Sequence, residues 1–429
     1  MASGTIKSFR RARKNSHVIV TRLLKPSLRT RDLLIVNSDS VSSSSATRRL
    51  FRLWVLVLGL FFLACAPRAA TPLPLPTPTT SPIPIPRLYP LPRLNSPEYG
   101  MQAFIWWHAD SQTGERDAAL VKDMGFGWLK QEFVWGDISH VRGAYYWGQT
   151  EQVVELAERL GLKLLVRLGQ PPAWAETDPT RPVNLADLGE FCAQVAAQYK
   201  GRIAAYEVWN EPNLAREWAD RPPDPAGYVE LLKACYLAIK RADPQAIVIS
   251  AGLAPTDRDD EVAMPDRKFF QAMYDAGALP YFDMLGVHAP GYSSPPERSP
   301  EEIAADPNWA SSVWVFRHVE DIRALMVANG DADKQIAITE MGWTSDPLNP
   351  DYAWYAVAEA QKADYLVRAY QYAKANWSPW IGLMSAIYIA DPEWTEQDEQ
   401  YWWAITRPTK PGDPPDLLPA YIALKNMAK

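Results

Sequence analysis

Cysteine and histidine are scarce in this chain, three and five in 429 residues. So few cysteines exclude a disulfide-knit scaffold, and no spacing among Cys65, Cys192 and Cys235 suits a metal site. Cys192 and Cys235 fall on consecutive expected helices and could pair. Because disulfide geometry is demanding, two separately buried thiols are the favoured reading. Basic charge is also missing from most of the chain. Residues 1–53 hold 12 Lys/Arg against only Asp32 and Asp39, which leaves 32 Lys/Arg against 48 Asp/Glu in the remainder. An acidic body excludes a nucleic-acid partner, whose phosphates need clustered Lys/Arg. It is compatible with a neutral ligand.

Aromatic residues are plentiful, with 18 Trp and 19 Tyr. Flat apolar rings with one polar edge suit ligands that are both greasy and wet, such as the faces of sugar rings. Bulky filling of a large core accounts for about half of them.

The chain divides into three parts. Residues 1–66 read as a basic, Ser-rich n-region followed by a leader. The apolar run at 53–64, LWVLVLGLFFLA, is too short to span a bilayer comfortably and follows Arg48, Arg49 and Arg52. It ends in Leu63-Ala64-Cys65-Ala66, which resembles a lipobox with Cys65 as the lipidated residue and a tether to the membrane. The n-region is long for a leader, which points to a start downstream of Met1 or to an unusual signal. Residues 67–96 are a Pro-rich linker, TPLPLPTPTTSPIPIPRLYPLPR over 71–93, stiffened into extended polyproline conformation. Leader and linker together describe an exported, cell-surface or extracellular protein.

Residues 97–429 alternate short apolar strands with amphipathic helices. The strands are expected at 99–105, 128–133, 163–168, 204–209, 246–251, 284–288, 336–340 and 383–389. The helices are expected at 115–124, 149–160, 185–199, 225–241, 268–276, 313–329, 356–376 and 418–427. Eight βα rounds imply an α/β fold, a single (β/α)8 TIM barrel, and a monomer is expected. The long segments 290–312 and 391–417 would wall a cleft on the C-terminal face of the strands.

In such barrels the reacting groups stand at the C-terminal strand ends. Strand four runs out through Trp209-Asn210-Glu211-Pro212. Strand seven runs out through Thr339-Glu340-Met341-Gly342-Trp343. A carboxylate at each place, facing one cavity, is the pair that glycosidic-bond cleavage requires: one protonated to deliver a proton, one ionised to attack. Glu207 shares parity with Glu211 but lies ~13 Å deeper, as a buried partner for Arg167 or Lys130. Glu132 is a reserve candidate at the end of strand two. His288 ends strand six, with Tyr292 four residues on.

These motifs resemble the clan A glycoside hydrolases, which include cellulases, mannanases, xylanases and β-xylosidases. The strand-two Lys130-Gln131-Glu132-Phe133 is most similar to the family 39 and cellulase-like branches. The resemblance covers residues from about 99 to 429. It implies retaining hydrolysis of β-glycosidic bonds in a poly- or oligosaccharide, with Glu211 as general acid/base and Glu340 as nucleophile. It implies that Asn210 bonds the sugar 2-hydroxyl and that His288 and Tyr292 line the cleavage subsite, with no metal and no cofactor. Trp135 and Trp343 are the leading stacking candidates; Trp106, Trp107 and Trp174 also follow strand ends. Where clan members often carry a Trp on strand eight, this chain has Tyr388, with Trp394 beyond. A transglycosylase, or a silent carbohydrate-binding barrel, would use the same scaffold.

Overall fold

The computed structural model describes residues 89–108, 111–176, 182–309, 311–409 and 413–429. The expected leader, Cys65 and nearly all of the linker lie outside them. Eight parallel strands close a barrel in sequence order: β1 (Glu98–Ala103), β2 (Trp128–Val134), β3 (Lys163–Gly169), β4 (Ala205–Val208), β5 (Ile247–Ser250), β6 (Met284–Pro290), β7 (Gln335–Gly342) and β8 (Ile381–Ile389). Each coincides with an expected strand to within two residues. The outer helices are α1 (Gln112–Asp123), α2 (Gly148–Leu160), α3 (Leu185–Gln198), α4 (Pro225–Ala242), α5 (Asp266–Asp275), α6 (His318–Ala328), α7 (Glu359–Asn376) and α8 (Pro419–Asn426). Helix α6 begins five residues later than the apolar pattern at 313–329 suggested. Val313, Trp314 and Val315 instead fill a second apolar cluster beneath the β6–α6 loop.

Local chemistry explains the element ends. Asn184 and Asp224 cap α3 and α4 by accepting backbone N–H groups, and Pro225 occupies the first turn of α4, where its missing N–H costs nothing. Gly161 closes α2 at φ +64°, a conformation that suits glycine. Tyr421 of α8 donates to the Leu120 carbonyl in α1, which stitches the last helix to the first.

The barrel interior is layered. Trp128, Leu165, Ala205, Ile249, Met284, Ala337 and Leu383 form an apolar floor. Above it Lys130 and Glu207, both buried, pair at 3.0 Å. Above that stand the strand-end carboxylates.

Cys192 in α3 and Cys235 in α4 are disulfide-bonded, with Cα atoms 5.4 Å apart, which corrects the expectation of two thiols. The reason is close helix packing. Gly189 of α3 lies against Ala234 of α4, and this brings the two backbones within disulfide reach. Among the described residues, no helix is long and apolar enough to cross a membrane.

Candidate active site

The chain leaves β4 through an abrupt turn. Trp209 and Glu211 both adopt positive φ, +76° and +39°. Such conformations cost a non-glycine residue ~1–3 kcal/mol each, so the surroundings must hold them. The Glu211 N–H donates to the Gly252 carbonyl at 3.0 Å, and Trp209 Nε1 donates to the Glu217 carbonyl at 2.8 Å. Asn213, fully buried, donates to the Ala254 and Met264 carbonyls and accepts from the Ala254 N–H. This clamp turns Asn210 toward the cleft and Glu211 toward His288.

Glu340, at the end of β7, sits among three cationic groups. Lys130 Nζ lies 3.1 Å from its Oε1, Arg167 Nη1 lies 3.6 Å away, and His288 is its register neighbour on β6. Burial alone would raise the Glu340 carboxyl. Lys130, His288 and Arg167 reverse that and hold it at about 2. It is therefore ionised at any ordinary pH.

Glu211 is differently placed. Its Oε1 meets His288 Nδ1 at 3.0 Å and its Oε2 meets Arg216 Nη2 at 2.8 Å. Burial pulls the His288 imidazolium down, but Glu340 and then Glu211 more than reverse it, which favours the cation. Glu217, beside Arg216, has its carboxyl pushed up to about 7 by burial, with Glu211 adding to the rise. Arg167 ties the walls together: Nη1 donates to Asn210 Oδ1 at 2.7 Å and Nη2 pairs with Glu132 at 2.9 Å.

These groups border a cleft of about 550 Å³, within the range of small-ligand sites. Its wall includes Glu340, Asn210, Arg167 and Tyr388, and the rings of Trp106, Trp107, Trp209 and Trp394. Of the residues expected at the site, Glu340 and Asn210 line this wall; Glu211 and His288 are not on it, but Glu211 bonds both His288 and the wall residue Arg216.

Three do not. Trp135, unexposed, begins a short helix, Trp135–Ile138, that swings its indole outward to stack on Phe191 of α3 at 4.9 Å. Trp343, also unexposed, bonds the Ser294 carbonyl at 2.9 Å and is covered by Gly291, where even a Cβ would lie 1.8 Å from the ring. Tyr292 is sealed against Trp314 and Tyr355. All three are packing residues. The segment 290–312 closes over Trp343 and Tyr292 and contributes nothing to the cleft wall among the described residues, whereas 391–417 contributes Asp391, Trp394 and Gln400.

Sequence reasoning placed Lys130 and Arg167 only as partners for Glu207. The structure gives Glu207 to Lys130 and brings both bases to Glu340 as well. Two bases on otherwise apolar strands, with inward parity, were the available signal. Arg216 and Glu217 carried none, since they lie on a three-residue 3-10 turn, Ala215–Glu217. Among the described residues, no group of His, Cys, Asp or Glu could hold a metal ion.

A closed (β/α)8 barrel with glutamates following β4 and β7 at its C-terminal end is the architecture of the clan A glycoside hydrolases. The family model for cellulase, glycosyl hydrolase family 5, matches residues 93–381, most of the chain, and the chain belongs to that family. A family 39 glycoside hydrolase from Bacteroides cellulosilyticus WH2 superposes with TM-score 0.57 at 20% identity, covering 78% of this chain and 64% of the other, so this chain spans less than two thirds of that protein. The GH5_18 protein from Streptomyces cattleya, in complex with GlcNAc, gives TM-score 0.55 at 15% identity, covering 78% and 80%. The β-glycosidase BGL167 gives 0.55 at 15%, covering 77% and 96%. At such identities these likenesses establish the fold. No curated protein matches the chain significantly.

Proposed function

We propose that this protein is an exported, retaining glycosidase that cleaves β-glycosidic bonds of a neutral poly- or oligosaccharide by double displacement. The observation that carries the reading is Glu340: a carboxylate on the cleft wall, held at about 2 by Lys130, His288 and Arg167. Glu340 attacks the anomeric carbon and Glu211 protonates the departing oxygen. Glu211 then takes a proton from the water that releases the sugar from Glu340. Asn210, oriented by Arg167, is positioned to bond the sugar 2-hydroxyl, a contact that strengthens as charge develops on the ring. Trp106, Trp107, Trp209 and Trp394 offer the apolar faces on which sugar rings stack. The Cys192–Cys235 disulfide supports export, because disulfides persist in oxidising compartments. The apolar run before Cys65 would supply the leader and the tether.

The test is a panel of aryl β-glycosides and polysaccharides, with the anomer released first read by proton NMR. Retention is expected, together with loss of at least ~10³-fold in Glu340→Ala. Inversion, or activity unchanged in Glu340→Ala, would overturn the mechanism.

A further inference from the structure

Glu211 is 2% exposed and is absent from the cleft wall, which carries Asn210, Arg216 and Glu217 around it. Both of its carboxylate oxygens are engaged, one by His288 and one by Arg216. Glu211 is buried and off the cleft wall while Arg216 is on it, so a leaving group in the cleft reaches one of these oxygens only if a contact opens. His288 cannot yield. Its ring is wedged against Gly252 so tightly that a Cβ there would lie 2.2 Å from Cδ2. Arg216 can. Its side chain is 25% exposed and its Nε has no hydrogen-bond partner among the described residues.

A destination is already in place. Glu217 Oε1 lies 3.6 Å from Arg216 Nε and stands on the cleft wall. The turn that carries both residues is pinned by Trp209 Nε1 on the Glu217 carbonyl and by Trp218, buried next to it. The exchange therefore needs side-chain rotation only.

We propose that Arg216 is a positioning residue that caps Glu211 in the free protein, that substrate displaces it, and that Glu217 receives it. The inference rests on Glu211 being the acid/base. The protons balance. Drawing Arg216 in from 3.6 Å to direct contact ionises the Glu217 carboxyl, and the proton it releases passes through cleft water to Glu211, which then donates it to the leaving oxygen. The Glu217 side chain is 29% exposed on the cleft wall, so cleft water reaches it, and desolvation there raises its carboxyl above the usual carboxylate range. Arg216 thereby ties protonation of Glu211 to occupancy of the cleft.

Leaving-group dependence tests this in the full chain, with aryl β-glycosides of a sugar found active in the panel above. Dinitrophenyl glycosides depart without a proton; alkyl glycosides and disaccharides need one. Glu217→Gln leaves Arg216 without an anionic partner besides Glu211 and the cleft without that proton. It should lower kcat/KM for the alkyl substrates at least about tenfold more than for the dinitrophenyl ones, since positioned proton transfer is worth ~10²–10⁴. In an Arg216→Gln background, Glu217→Gln should lose that selective effect, because no cap remains to be received. Equal losses on both substrate types, or a selective loss that persists without Arg216, would overturn the proposal. Glu211→Gln separates the two readings. If it shows no leaving-group selectivity, the assignment of Glu211 fails. If it does and Glu217→Gln does not, only the cap fails.

Discussion

Lys130→Met removes the cation shared by two buried carboxylates. Lys130 is 1% exposed, lies 3.0 Å from Glu207 and 3.1 Å from Glu340, and donates to the Thr339 carbonyl at 3.2 Å. Methionine keeps the volume and loses the charge, so packing is largely preserved. Breaking a buried ion pair on one side costs ~3–5 kcal/mol, because the other charge is left uncompensated. For a barrel of this size the unfolding entropy is ~0.7 kcal/mol/K, so the thermal midpoint should fall by about 4–7 °C. The linkage sign is explicit. The folded Glu340 carboxyl is depressed to about 2 against an ordinary 4.5, so its stabilisation is present above pH ~4.5 and lost as pH falls toward 2. In the parent protein the acid limb of kcat/KM, measured with a dinitrophenyl glycoside, should therefore lie below pH 4. In Lys130→Met, burial faces only His288 and Arg167, and the limb should move upward by at least about one unit. Adding Glu207→Gln should recover much of the midpoint, since the deep carboxylate no longer needs a partner, and should leave the shifted limb in place. Calorimetry and a pH–rate profile make the measurement. An unchanged midpoint together with an unchanged acid limb would refute the shared-cation account.

Three further outcomes follow from particular contacts. Replacing Cys192 and Cys235 by serine opens a cross-link of sequence separation 43, and loop-closure entropy puts the loss at ~4 kcal/mol, readable as a midpoint about 6 °C lower. Gly252→Ala would place a Cβ 2.2 Å from His288 and 2.7 Å from Thr339 Oγ1; with His288 displaced from Glu211, kcat should fall at least about tenfold while circular dichroism stays native. Trp394→Ala should raise KM with little change in midpoint, whereas Trp343→Ala should destabilise by ~3–5 kcal/mol, because one indole borders the cleft and the other is core. The opposite pattern would return Trp343 to the substrate.

The amino-acid sequence by itself determined the eight-stranded frame and the two glutamates. Inward-facing strands of a parallel barrel must be apolar for most of their length, so their positions show as apolar runs. A carboxylate ending such a run stands out, and Glu211 and Glu340 are such carboxylates. The charged layer was half visible, since Lys130, Arg167 and Glu207 interrupt strands that should be greasy, although which base meets which acid depends on stagger between strands. Only the tertiary structure decided which indoles face the cleft. Past a strand end, side-chain direction follows the turn of the next loop and what that loop covers: a short helix sends Trp135 outward, and Gly291 folds onto Trp343. Helix spacing likewise decided the Cys192–Cys235 bond, for 5.4 Å between Cα atoms is a property of packed surfaces. The placement of Arg216 over Glu211, next to Glu217, belongs to the same class. It arises where a strained turn, held by Trp209 and Asn213, returns the chain over the Glu211 carboxylate.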